Sequence, residues 1–282
     1  MEEAFTANTS TTTTNYNNSL GTFVIVQVVM TSTIISIGIP LIIMAICSLY
    51  SLVSNDHVAP IYVINLLISD LIQLCCLILR LAPLKVEIHA TLYFIYFCGL
   101  IASVGFMVCV AMERFLVIAC PLWYRFRRTT KTPVLVCVVV WALTLANLPI
   151  FLVNKKVLPI IFGIIFLLPL PLFIFFLGGT IRALSASRVP PEEKRRIVGI
   201  LVLVLLIYTL LFLPRTIYYL TKQDYLYHLS HMCLKLSPIA DLLLYVFMRK
   251  GSIDKLFASL CCYRMDSNDS SRMDSNITSS TV

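Results

Sequence analysis

Long, unbroken apolar runs divided by short basic loops constrain this chain more than any other feature. About 20 mostly apolar residues are needed to cross a bilayer as a helix. Runs of that order occupy residues 22–49, 59–82, 90–118, 132–153, 157–181, 196–220 and 230–249. They are continuous rather than alternating, which favours spanning helices over a β-barrel. Charged residues make up 13% of the chain and apolar residues 59%, whereas a soluble domain carries about 25% charged residues. The fold class expected is an all-α membrane protein, a seven-transmembrane helix bundle with a short amphipathic helix after the last span.

The loops orient the bundle. "YRFRRTTK" (124–131), "RVPPEEKRR" (188–196) and "MRKGSIDK" (248–255) carry the bases, and such loops face the cytoplasm. The net charge of +8 is therefore topological, and nucleic acid is not an expected partner. The first 20 residues lack Lys and Arg and hold two sequons, at Asn8 and Asn17. An outer N-terminus and an inner C-terminus require an odd number of spans, which admits 230–249 despite Lys235 and Asp241. The opening residues are acidic and polar, so no cleavable leader is expected. Four segments follow: a glycosylated extracellular tail (1–21), the bundle (22–250), an amphipathic membrane-surface helix (251–263) and a disordered cytoplasmic tail (264–282). Most of the ten cysteines sit inside apolar runs and read as buried thiols that pack as small hydrophobes. Cys261 and Cys262, beside the inner membrane face, suit palmitoylation.

Several charges sit where charge is costly. Asp70 lies mid-span, and Glu113 and Arg114 end the third run. An intramembrane carboxylate must face inward and gain a proton, a cation or hydrogen bonds. Arg80, Arg215 and Lys235 fall in the outer halves of three runs, and buried cations call for anions. Pro214 removes a backbone hydrogen bond from the sixth run and kinks it.

The combination resembles the rhodopsin-like (class A) family of G-protein-coupled receptors over about residues 22–262. The motifs are "NLLISD" (65–70), "ERF" (113–115), "ACPLWYR" (119–125), Trp141, "FLP" (212–214) and "DLLLY" (241–245). Within the family the style is nearest the purinergic, lysolipid and proton-sensing branch. The resemblance implies a polar cluster of Asp70, Ser103 and Asp241, with a sodium ion as the one implied cofactor. It also implies a coupling switch of Glu113, Arg114 and Tyr245, and a ligand pocket that includes Arg80, Arg215, Lys235 and Phe212. The partners implied are a heterotrimeric G protein and a small-molecule or lipid ligand, with arrestin on the phosphorylated tail. A PDZ protein could take the terminal Ser280 and Val282 by strand addition.

The chain departs from the family pattern at several positions. Ile42, His89, Phe212 and Leu242 replace the usual asparagine, disulfide cysteine, tryptophan and proline, and no cysteine occurs between Trp141 and Pro169. The usual outer disulfide is therefore not expected. The expected function is a plasma-membrane receptor for an anionic or lipid-like ligand, not an enzyme, that signals by outward movement of the sixth helix. His89, His228 and His231 leave a proton-sensing receptor open. A small-solute transporter is the rival class, but the internal repeat it would need is not visible. No metal-ligand spacing stands out.

Overall fold

Apolar residues in bilayer-length runs fold as helices because lipid leaves every backbone polar group to be satisfied within its own segment. The computed structural model describes residues 2–53, 61–120, 131–146, 158–187, 191–221 and 223–248, with side chains from Val24 onward except at 51–53, 158–160, 193, 224 and 248. Among these residues the elements are α1 (Glu2–Val53), α2 (Ile61–Leu81), α3 (Val86–Ala119), α4 (Lys131–Leu145), α5 (Leu158–Leu167), α6 (Pro169–Ala186), α7 (Pro191–Thr221) and α8 (Asp224–Met248). Six stretches are long and apolar enough to cross a membrane, and α4 is a shorter apolar helix.

The fifth expected span comprises α5 and α6. Leu168 has helical backbone angles and its N–H donates to the Ile164 carbonyl at 3.0 Å. Pro169 and Pro171 lack an N–H, so two links of the helical ladder are missing while the rod continues. The helix of the first span starts far earlier than the apolar run, at Glu2 rather than near residue 22, so Asn8 and Asn17 lie on helical backbone. The expected amphipathic helix, Cys261 and Cys262, and the tail with Ser280 and Val282 lie outside the described residues.

α3 is the central helix and packs against α2, α4, α6 and α7. α1 packs on both α2 and α8, and α8 packs on α7, which closes the bundle. Tight helix approach in lipid needs small residues or polar ties, and both occur. A Cβ on Gly99 would stand 2.7 Å from Gln73 Cγ and 3.2 Å from the Ser69 carbonyl oxygen, so α2 and α3 meet closely there. The Trp141 indole donates to Asn65 Oδ1 at 3.2 Å and its ring lies edge-on to Phe106, centroids 5.7 Å apart. That pair fastens α4 to α2 and α3.

Spans five and six are joined by Tyr208, whose hydroxyl donates to the Phe166 carbonyl. Its ring stacks on Phe212 at 5.2 Å and 16° and lies 5.0 Å from Phe173. Tyr208→Phe keeps the stack and deletes the bond. It should lower stability by about 1 kcal/mol, the usual net worth of one such bond. Thermal unfolding of the purified protein checks this, and an unchanged midpoint would show that the bond contributes nothing.

Candidate functional site

Three layers of polar side chains lie inside the bundle. One layer, on the side that the sequence leads one to expect at the cytoplasm and therefore called inner, is at the end of α3. Adjacent residues on a helix do not share a face, so Glu113 and Arg114 can meet only if the long arginine stem folds back. Arg114 Nη2 lies 3.9 Å from Glu113 Oε2, with the side chains 20% and 5% exposed. This is the outer limit of an ion pair. Lys194, at the inner end of α7, donates to the Ser187 carbonyl at 2.8 Å, so that bond goes to the backbone and not to an acid. Phe115 turns the other way, into a notch at Gly179, where a Cβ would stand 2.6 Å from its ring. Tyr245 is half-buried against the core.

The middle layer brings together all three residues expected there. Asp70, Ser103 and Asp241 are fully buried. Ser103 donates to Asp241 Oδ2 at 3.0 Å, and Ser237 reaches the same oxygen at 3.5 Å. Gln73 Nε2 donates to Asp70 Oδ1 at 3.2 Å. The two carboxyls are within hydrogen-bonding reach of each other. Asp70 Oδ2 and Asp241 Oδ1 have no donor among the described residues. Two facing carboxylates in a dry site need a shared proton or a cation between them, and the donor set suits either.

The outer layer holds the intramembrane bases. Arg215, one residue after Pro214, is 4% exposed, and Lys235 is 7% exposed. The Arg215 guanidinium lies 4.8 Å from the Tyr219 ring centre, 5.2 Å from that of Tyr218 and 5.5 Å from that of Tyr227. Its Nη1 donates weakly to Ser230 Oγ at 3.4 Å. Lys235 Nζ donates to Thr31 Oγ1 at 3.0 Å, and that hydroxyl donates in turn to the Gln27 carbonyl. Arg80, half-buried, lies over the Tyr93 ring at 5.3 Å. The His231 ring is parallel to Tyr227, 6.1 Å away, within electrostatic reach of Arg80, Arg215 and Lys235. No described carboxylate pairs with these three cations.

Phe212 lies less than one turn inward of Arg215, fully buried between Tyr208 and Phe166. It underlies the cations rather than standing among them.

The tyrosine cage was not read from the sequence, although its signal is there. Tyr218 and Tyr219 follow Arg215 by three and four residues, and Tyr227, His231 and Lys235 follow one another by four. That spacing puts each set on one helix face. Phe-rich and Tyr-rich spans look like core until the cation between them is noticed. His89 stays outside the cage, half-buried near the start of α3, whereas His228 is exposed at its rim, its ring edge-on to Tyr227 with centroids 5.3 Å apart.

Comparison with known proteins agrees with this architecture. The family model described as 7 transmembrane receptor (rhodopsin family) matches residues 49–160. Human G-protein coupled receptor 68 is 25% identical over 261 residues, covering 77% of this chain and 71% of that protein. Mouse Mas-related G-protein coupled receptor member A4 is 29% identical over 92 residues, which is 30% of this chain and 29% of that receptor. The C5a anaphylatoxin chemotactic receptor 1 of Oncorhynchus mykiss is 34% identical over 115 residues, 36% of this chain and 31% of that one. The chain thus spans under a third of two of these relatives and over two thirds of the other.

Proposed function

We propose that this chain, which is similar to the rhodopsin-like family of G-protein-coupled receptors, is a divergent receptor of that kind that binds an anionic ligand in the outer cage and activates heterotrimeric G proteins from its inner face. The observation that carries this reading is Arg215, buried among three tyrosine rings with no described carboxylate to neutralise it. A desolvated cation of that kind is costly until an anion joins it. An anionic head group entering from outside would supply the missing charge, and the apolar walls suit an acyl or other hydrophobic body.

Coupling to the inner face follows from the position of Pro214. The ligand's hold on Arg215 acts one residue from the kink of α7. Its inner end can then swing away from α3 while its outer end moves little. That movement would open a cavity beside Arg114 for a G-protein segment, with Tyr245 turning inward. The Asp70–Ser103–Asp241 cluster lies between the two ends, and a proton or sodium ion held there would favour the closed bundle. The receptor would act as a multi-pass plasma-membrane protein with its N-terminus outside.

A cell-based screen of lysolipids and fatty acids with a G-protein readout tests this. Neutralising the cage in Arg215→Gln/Lys235→Met should shift the dose–response by at least about a hundredfold, since breaking a buried charged contact typically costs a few kcal/mol. An unchanged response at equal surface density would overturn the reading. Activation by acid alone in that same variant would favour the proton-sensing alternative.

A further inference from the structure

We propose that the outer cage is built for a phosphate-monoester head group rather than a carboxylate, a proposal that rests on the anionic-ligand reading above. The first argument is charge. Arg80, Arg215 and Lys235 all lie within electrostatic reach of His231 with no described acid paired to them. A carboxylate would neutralise one of these cations. A phosphate monoester carries about −1.5 to −2 at pH 7 and three strong acceptor oxygens, a much closer match to the charge assembled here.

The second argument is the supply of donors. Arg215 Nε is buried with no hydrogen-bond partner among the described residues, and so is the hydroxyl of Tyr96, a residue 1% exposed. Tyr96 lies within electrostatic reach of both Arg80 and Arg215. Lys235 gives one proton to Thr31, and an ammonium has three to give. The Tyr219 hydroxyl is within hydrogen-bonding reach of Arg215. These donors sit on α3, α7 and α8, with the Arg80 charge on α2, so they approach from several helices. Tetrahedral oxygens can meet donors from several sides, whereas a planar carboxylate presents two oxygens in one plane.

The third argument is preorganisation. Tyr218, Tyr219 and Tyr227 surround the guanidinium at 4.8–5.5 Å. Its Nε–H has no partner among the described residues and its Nη1 bond to Ser230 is long at 3.4 Å, which leaves donors for the paired hydrogen bonds that arginine makes with phosphate. A lysine at 215 would keep the charge and lose that fork.

The experiment uses the full receptor purified into lipid nanodiscs, with thermal unfolding followed against oleyl phosphate, oleate and inorganic phosphate. The unliganded midpoint of each variant is recorded first. Oleyl phosphate should raise the midpoint at concentrations at least about tenfold below oleate, the worth of one further charge-assisted bond. The advantage should shrink in Arg215→Lys and in Arg80→Gln. Arg80 is half-buried and lies over Tyr93 rather than among Tyr218, Tyr219 and Tyr227, so the second variant keeps the test valid if the first does not fold. Protection by millimolar inorganic phosphate would make free phosphate a sufficient ligand, whereas protection by oleyl phosphate alone would make it a lipid head group. Equal protection by oleate and oleyl phosphate, lost in Arg215→Lys, would overturn the phosphate assignment and leave the anionic-ligand reading standing. Protection unchanged in both Arg215→Lys and Arg80→Gln, or none by any anion, would overturn both.

Discussion

Arg114→Ala is expected to abolish ligand-driven nucleotide exchange while leaving ligand binding at the outer cage intact. Arg114 ends α3 at the inner face and retains 20% of its side-chain exposure, enough to meet an incoming partner once α7 moves. Arginine is, with tryptophan and tyrosine, among the residue types that dominate interfaces, with truncation at such a position costing about 2 kcal/mol or more; that corresponds to at least about thirtyfold weaker coupling. Glu113→Gln should act in the opposite direction. The pair is held at 3.9 Å, and the Lys194 bond on α7 goes to a carbonyl. Little beyond Glu113 would restrain Arg114, so removing that charge should raise exchange without ligand. Nucleotide exchange on membranes matched for receptor density, run against a panel of G proteins, reads both variants. Full ligand-driven exchange by Arg114→Ala would sink this account of the inner face.

The second large effect lies in folding. Gly99→Leu should remove most of the receptor from the cell surface. The new Cβ alone would press on Gln73 Cγ at 2.7 Å and on the Ser69 carbonyl at 3.2 Å. A glutamine tip can move aside, but a backbone carbonyl moves only with its helix. Overpacking of this kind costs about 1–3 kcal/mol and sometimes more, a large part of a typical folding free energy. Gln73 also holds Asp70, so the damage reaches the middle polar layer. Gly178→Ala supplies the control: a Cβ there meets nothing within 4 Å, and that variant should express normally. Normal surface density and an unshifted unfolding midpoint for Gly99→Leu would contradict the close approach of α2 and α3.

The bundle was legible because hydrophobicity in bilayer-length runs leaves the backbone few alternatives. Six of the runs correspond to full-length spans, and the fourth to the shorter α4. The early start of α1 was not legible, since residues 2–21 are polar and carry no apolar periodicity. Individual charges were legible because charge inside an apolar run is costly and hence conspicuous: Asp70, Arg114, Arg215 and Lys235 all stand out that way. Their partners were harder to see. Ser103 and Asp241 were found by resemblance to the family, and their 3.0 Å contact joins residues 138 positions apart. Gln73 and the tyrosines escaped notice, because a lone amide or a phenol in an apolar run looks like ordinary core until the neighbouring helix supplies its partner.

The bond between Lys235 and Thr31 carries a consequence for biogenesis. It ties α8 to α1, residues 204 positions apart. The outer cage is therefore completed only after α8 has been synthesised and has docked. While α8 is still in the ribosome or translocon, α1 and α2 are already in the bilayer with one wall of the cage absent. Arg215 then waits without Ser230 and Tyr227, and Thr31 waits without its lysine. A chain that stalls or is cut short before α8 lacks Lys235, Ser230 and Tyr227, and with them the proposed ligand site. Quality control at the membrane would thus encounter a half-built cage as the signature of an unfinished receptor.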